Sequence, residues 1–62
     1  LFPGIVEKRI KIYSENDAYW GTAEVKGFTG NILQLKDLIL WNHRKKPVYD
    51  IEAKYIKRIE II

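Results

Sequence analysis

Several short stretches of this chain change sidedness at every residue, and no other feature constrains the fold as much. Between Arg9 and Tyr13, Ile10 and Ile12 point one way while Arg9, Lys11 and Tyr13 point the other. From Tyr19 to Phe28, one face carries Tyr19, Gly21, Ala23, Val25 and Gly27, and the opposite face carries Trp20, Thr22, Glu24, Lys26 and Phe28. Leu33 and Leu35 begin a third stretch that runs from Ile32 to about Trp41. Tyr49, Ile51, Ala53 and Tyr55 alternate with Asp50, Glu52 and Lys54 in a fourth, and Ile59-Glu60-Ile61-Ile62 forms a last one. A period of two is that of a strand with one buried face. The small side chains of the second stretch suit the inner wall of a tightly curved sheet, and its glycines suit bends.

The punctuation agrees with strands. Leu1-Phe2-Pro3-Gly4 reads as an entry turn, Ser14-Glu15-Asn16-Asp17 as a polar turn and Thr29-Gly30-Asn31 as a tight hairpin. Asn42 to Pro47 reads as a second loop and Tyr55 to Arg58 as a brief turn. The apolar run Leu38-Ile39-Leu40-Trp41 has three readings: a strand crossing between sheets, a segment under a subunit contact, or a short helix. The expectation is an all-β fold, a small five-stranded antiparallel barrel formed as a single domain over residues 1–62.

A chain of 62 residues buries only about 60% of its unfolded surface. It therefore gains from oligomerising, and Ile59, Ile61 and Ile62 on a terminal strand edge are the expected interface. Cysteine is absent, which excludes disulfides and thiolate metal sites. His43 is the only histidine, so no metal or other cofactor is expected. The sequence offers no nucleophile–base pair, no glycine-rich phosphate loop and no carboxylate pair in an apolar setting, so the expectation is not an enzyme. No apolar run approaches the roughly 18 residues of a membrane span, and a cytoplasmic protein is expected. The lack of an initiating methionine fits a fragment of a longer protein. The absence of methionine with abundant Ile and Lys leans towards a thermophile.

The charge is unevenly placed. Residues 1–31 hold four basic and four acidic side chains, whereas residues 32–62 hold seven basic and four acidic, so the whole net charge of +3 lies in the second half. Arg44, Lys45 and Lys46, expected on a hairpin tip, are candidates for phosphate contacts, although a solvated loop explains them as well. Lys57 and Arg58 are further candidates, with Arg58 able to stack on a base or to pair with Glu60 or Asp50. Trp20, Phe28 and Tyr13 lie opposite the expected core face, where base stacking is one use and a subunit contact or a ligand cage another. Asn31 offers a donor and an acceptor to a base edge. Trp41 and Tyr49 are expected in core or interface packing.

The stretch Ala23-Glu24-Val25-Lys26-Gly27-Phe28-Thr29-Gly30-Asn31-Ile32-Leu33-Gln34-Leu35-Lys36-Asp37 resembles the first motif of the Sm-like (Lsm) family. Tyr55-Ile56-Lys57-Arg58-Ile59-Glu60-Ile61 is similar to the second. Thr29 stands where that family has Asp, and Lys57-Arg58 where it has Arg-Gly. Ala53-Lys54-Tyr55-Ile56-Lys57 also resembles the last turn of Src-homology-3-like barrels. The Sm-like resemblance implies RNA binding and a ring in which the last strand pairs with a neighbouring subunit. The expected function is nucleic-acid binding, RNA more than DNA, by residues Trp20, Phe28, Asn31, Arg44, Lys45, Lys46, Lys57 and Arg58. The alternative is a protein-interaction or oligomerisation domain of a larger protein.

Overall fold

The alternating stretches become strands in a computed structural model that describes residues 3–62, leaving the expected entry turn at Leu1 and Phe2 outside the described residues. A short 3-10 turn at Pro3–Ile5 precedes β1 (Arg9–Ser14), β2 (Tyr19–Thr29), β3 (Ile32–Leu40) and β4 (Lys45–Glu52). A second 3-10 turn, Ala53–Tyr55, leads into β5 (Ile56–Ile61). The fold is all-β: one antiparallel five-stranded sheet in the order β4-β3-β2-β1-β5, with β4 and β5 as its two edges.

Turn chemistry sets the hairpins. The β1–β2 and β3–β4 connections are built alike. Ser14 N–H donates to Ala18 O and Asp17 N–H to Ser14 O; likewise Leu40 N–H donates to Arg44 O and His43 N–H to Leu40 O, all at 2.8 Å. Asp17 (φ 64°) and His43 (φ 69°) occupy the left-handed position that closes such a three-residue loop. The β2–β3 turn is tighter, with Gly30 (φ 61°) and Asn31 between paired Thr29 and Ile32. Gly at the first of two central positions is the signature of a II′ turn.

Register explains which side chains face the core. Ile10 and Ile12 on β1, Ala23 and Val25 on β2, and Leu33, Leu35 and Leu38 on β3 are buried, with Ile5 from the first 3-10 turn. The β2 face of small residues is the inner one, as the period predicts: Gly21, Ala23 and Val25 are buried. Bulges then break the simple alternation. Where β3 passes Ala23, Asp37 and Leu38 oppose that single residue, because Thr22 pairs with Ile39 but Glu24 with Lys36. The extra residue shifts the inward set from Leu33 and Leu35 to Leu38. The run from Leu38 is therefore a strand with buried Leu38, half-buried Ile39 and Leu40, and an exposed Trp41; the helical reading does not hold.

Two further bulges correct the expected outward placement of Phe28 and Trp20. Lys26 is the extra residue between Val25–Leu35 and Gly27–Gln34, so Phe28 pairs with the buried Leu33 and shares its face. Trp20 is the extra residue between Ile12–Gly21 and Tyr13–Tyr19. Both side chains pack against the core, and Trp20 meets Tyr49 of β4 at 5.5 Å between ring centroids. Tyr49 is thus core packing, but Trp41, expected there or in an interface, is 62% exposed.

The boundaries of the last strands also differ from expectation. β4 starts at Lys45, inside the expected loop, because Leu38 and Ile39 pair with Lys46 and Lys45. Pro47 is accommodated because β4 is an edge strand. β5 starts at Ile56, so Lys57 and Arg58 lie in a strand and not in a turn.

Gly21 has no room for a side chain: a Cβ there would stand 2.6 Å from the carbonyl oxygen of Ile39. A Cβ at Gly27 would meet only the Gln34 side-chain oxygen, at 3.5 Å. Gly21→Ala should therefore destabilise the fold by roughly 1–3 kcal/mol. Gly27→Ala should leave it unchanged or stabilise it by up to about 1 kcal/mol. Chemical denaturation of both variants checks the contrast; equal stability of the two would contradict the close approach of β2 and β3.

Candidate nucleic-acid interface

Arg9 begins β1 at an outward position, paired in register with Glu24 of β2. Its Nη2 donates to Asp37 O at 2.9 Å, to Thr22 Oγ1 at 3.2 Å and to Thr22 O at 3.5 Å. The guanidinium thus reaches from β1 across β2 to the bulge of β3. Asp37 has φ 51° at that point, and its carbonyl is an acceptor where the ladder to β2 is interrupted. All three acceptors are neutral, and no ion pair among the described residues involves Arg9. The nearby carboxylate of Glu24 is held by Lys36 at 3.3 Å.

The start of β4 completes a groove beside Arg9. Lys45 and Lys46 stand opposite Ile39 and Leu38 in register, and both are exposed. Together with Arg9 they border a shallow groove of about 490 Å³. Leu38, Ile39 and Pro47 contribute its apolar lining, and Asp37 also borders it. Arg44 lies next in the chain, in the loop, with its N–H donating to Asn42 Oδ1 at 3.2 Å. Three side chains of fixed positive charge around an apolar floor can bind a phosphate and cover the face of an attached base.

The other expected site residues are elsewhere. Asn31 sits at the β2–β3 turn, where its carbonyl accepts from Ala53 N–H at 2.8 Å. It lies beyond the far end of β3 from Ile39, about 26 Å along an extended strand. Phe28 and Trp20 are half-buried against the core, so neither presents a free ring face in the groove. Lys57 is exposed at the irregularity where β5 pairs with β1.

Arg58 is committed within the fold. It donates to Glu60 Oε2 at 2.6 Å and to Asp17 Oδ1 at 3.1 Å, and its guanidinium lies 3.8 Å from the centroid of the Tyr13 ring. Tyr13 in turn donates to Glu60 Oε1 at 3.3 Å and meets Tyr19 edge-on at 5.9 Å. The hydrogen bond from Arg58 is the main cause holding the Glu60 carboxyl below its ordinary value, and the same bond raises the Arg58 guanidinium. The partner is Glu60 with Asp17, where the sequence suggested Glu60 or Asp50.

Arg9 is the residue that sequence reasoning missed. It was one outward cation among several, and nothing local distinguishes it from Lys8 or Lys11. Among the described residues, no cluster of His, Cys, Asp and Glu is arranged to hold a metal ion, and no helix is long and apolar enough to cross a membrane. No model of a known protein family matches the chain, and no curated protein is similar to it.

The lowered Glu60 carboxyl gives the Arg58–Glu60 pair a defined pH dependence. A group with a depressed folded pKa adds stability above its unfolded value, and that stability is lost as pH falls through the folded value. The pair should therefore stabilise the fold at neutral pH and fade below about 4.5. Wild type and Glu60→Gln, compared by denaturation midpoint across this range, should differ at neutral pH and converge in acid. A difference that persists in acid would refute the assignment.

Proposed function

We propose that this chain is a nucleic-acid-binding module that holds single-stranded RNA across the β3–β4 groove, on a small barrel of the Sm-like or Src-homology-3-like kind. The observation that carries the reading is the convergence of Arg9, Lys45 and Lys46 on one groove with an apolar floor. Counterion release favours a polyanion there. The hydrogen bonds that hold Arg9 reduce the ordering cost of binding. A strand whose bases are unstacked has faces to lay on Ile39 and Pro47, which favours single-stranded RNA over a duplex.

The barrel reading draws on the bend of the sheet. Three residues, Ala53–Tyr55, link β4, at one edge, to β5, at the other. A straight strand of the length of β2 would reach about 33 Å, against a longest molecular dimension of 27 Å, and bulges along β2 and β3 supply curvature.

A second reading, a module that assembles through its strand edges, has its own observation. Ile61 and Ile62 are 58% and 67% exposed beside the outer edge of β5, whereas Ile59 is half-buried against the core. Salt separates the two. Three phosphate contacts to a single strand predict a slope near −2 in log affinity against log salt, which is about a twentyfold loss over a fourfold rise in salt. Lys45→Ala with Lys46→Ala should weaken binding of a labelled oligo-uridine and flatten that slope by about 1.4. Arg58→Ala should leave both unchanged. Binding that ignores salt, or that survives loss of Lys45 and Lys46, would favour the assembly reading.

A further inference from the structure

Asp37 is out of place in a site for phosphate. It borders the same groove as Arg9, Lys45 and Lys46, yet none of the ion pairs among the described residues uses its carboxylate. Its backbone carbonyl, not its side chain, holds Arg9. The left-handed backbone (φ 51°) favours Gly, Asn or Asp at this position. Gly or Asn would serve that conformation without setting a negative charge among three cations. The bulge accounts for the backbone of Asp37 and for the carbonyl that holds Arg9, and none of the ion pairs among the described residues engages the carboxylate.

Resting on the reading of the groove as an RNA-strand site, we infer that Asp37 selects the base, favouring guanine and disfavouring uracil. An ionised carboxylate only accepts hydrogen bonds, and its two oxygens accept best from two parallel donors. In an unpaired strand the Watson–Crick edge is open to the protein. Guanine alone presents two adjacent N–H donors on that edge, from N1 and the 2-amino group. Cytosine and adenine each present one amino group beside a ring nitrogen that repels the second oxygen. Uracil presents one N–H flanked by two carbonyls. With neighbouring phosphates on Lys45, Lys46 and Arg9 and the base over Ile39 and Pro47, the Asp37 carboxylate is the side chain bordering the groove that carries acceptors without donors.

The test uses the 62-residue chain and fluorescence anisotropy at low salt. Three short RNAs are compared: all uridine, the same strand with one central guanosine, and the same with inosine there. The guanosine strand should bind on the order of tenfold more tightly than the all-uridine strand. Inosine, which lacks the 2-amino group, should lose most of that gain. Asp37→Asn, which tolerates the same backbone, should remove the preference while binding the all-uridine strand at least as well. Equal binding of the guanosine and uridine strands overturns the inference, as does a preference that survives inosine or Asp37→Asn, and in these cases RNA binding by the groove stands. If no strand binds, the functional reading itself fails, and the selection by Asp37 with it.

Discussion

The bulge of β3 at Asp37 and Leu38, set against Ala23 of β2, is the constraint on which the rest of the molecule turns. It lets β3 bury Leu33, Leu35 and Leu38 although those positions do not share one period of two. It frees the Asp37 carbonyl to hold Arg9. On its other side β3 keeps an unbroken register with β4, in which Ile39 and Leu38 stand opposite Lys45 and Lys46, so the cations of the edge strand lie beside the bulge. A single inserted residue thus links the packing of Leu38 in the core to the position of Arg9. Without it, the second half of β3 would turn Leu38 outward, and Arg9 would lose its shortest hydrogen bond.

The core that supports this arrangement is small. Its buried side chains are aliphatic, from Ile5 to Leu38, and its aromatic groups, Trp20, Phe28 and Tyr49, cover it from the rim while remaining half-exposed. Each fully buried aliphatic side chain contributes roughly 1.5–3 kcal/mol, so few positions are dispensable in a domain of this size. The aromatic rim explains why Trp20 and Phe28 are poor candidates for base stacking. Their rings already supply apolar volume that a short chain has no other means to provide.

Two arginines with the same chemistry have opposite fates, and geometry decides between them. Arg58 lies over Tyr13 and between Asp17 and Glu60, so its positive charge is matched within the fold. Such an exposed pair adds little stability, but it removes Arg58 from the pool of groups open to an anion. Arg9 is held by Thr22 and the Asp37 carbonyl. Neutral oxygens fix its position without cancelling its charge, which is the condition a preorganised anion site requires.

The all-β class, the order of the turns and the inward faces of β1, the middle of β2 and the first half of β3 were legible in the sequence, because alternation and turn chemistry are local properties. The inward set Ile10, Ile12, Ala23, Val25, Leu33 and Leu35 follows from period two alone. Trp20, Phe28 and Leu38 did not follow, because a bulge is defined by the strand opposite and shifts every later side chain by one step. The start of β4 at Lys45 likewise depended on pairing with β3, which a basic run before a proline does not announce. Of the candidate site, Lys45 and Lys46 were visible as charge. Their companion Arg9 and the separation from Asn31 and Arg58 were decided by tertiary structure, since only the folded sheet brings the head of β1, the bulge of β3 and the edge of β4 to one place.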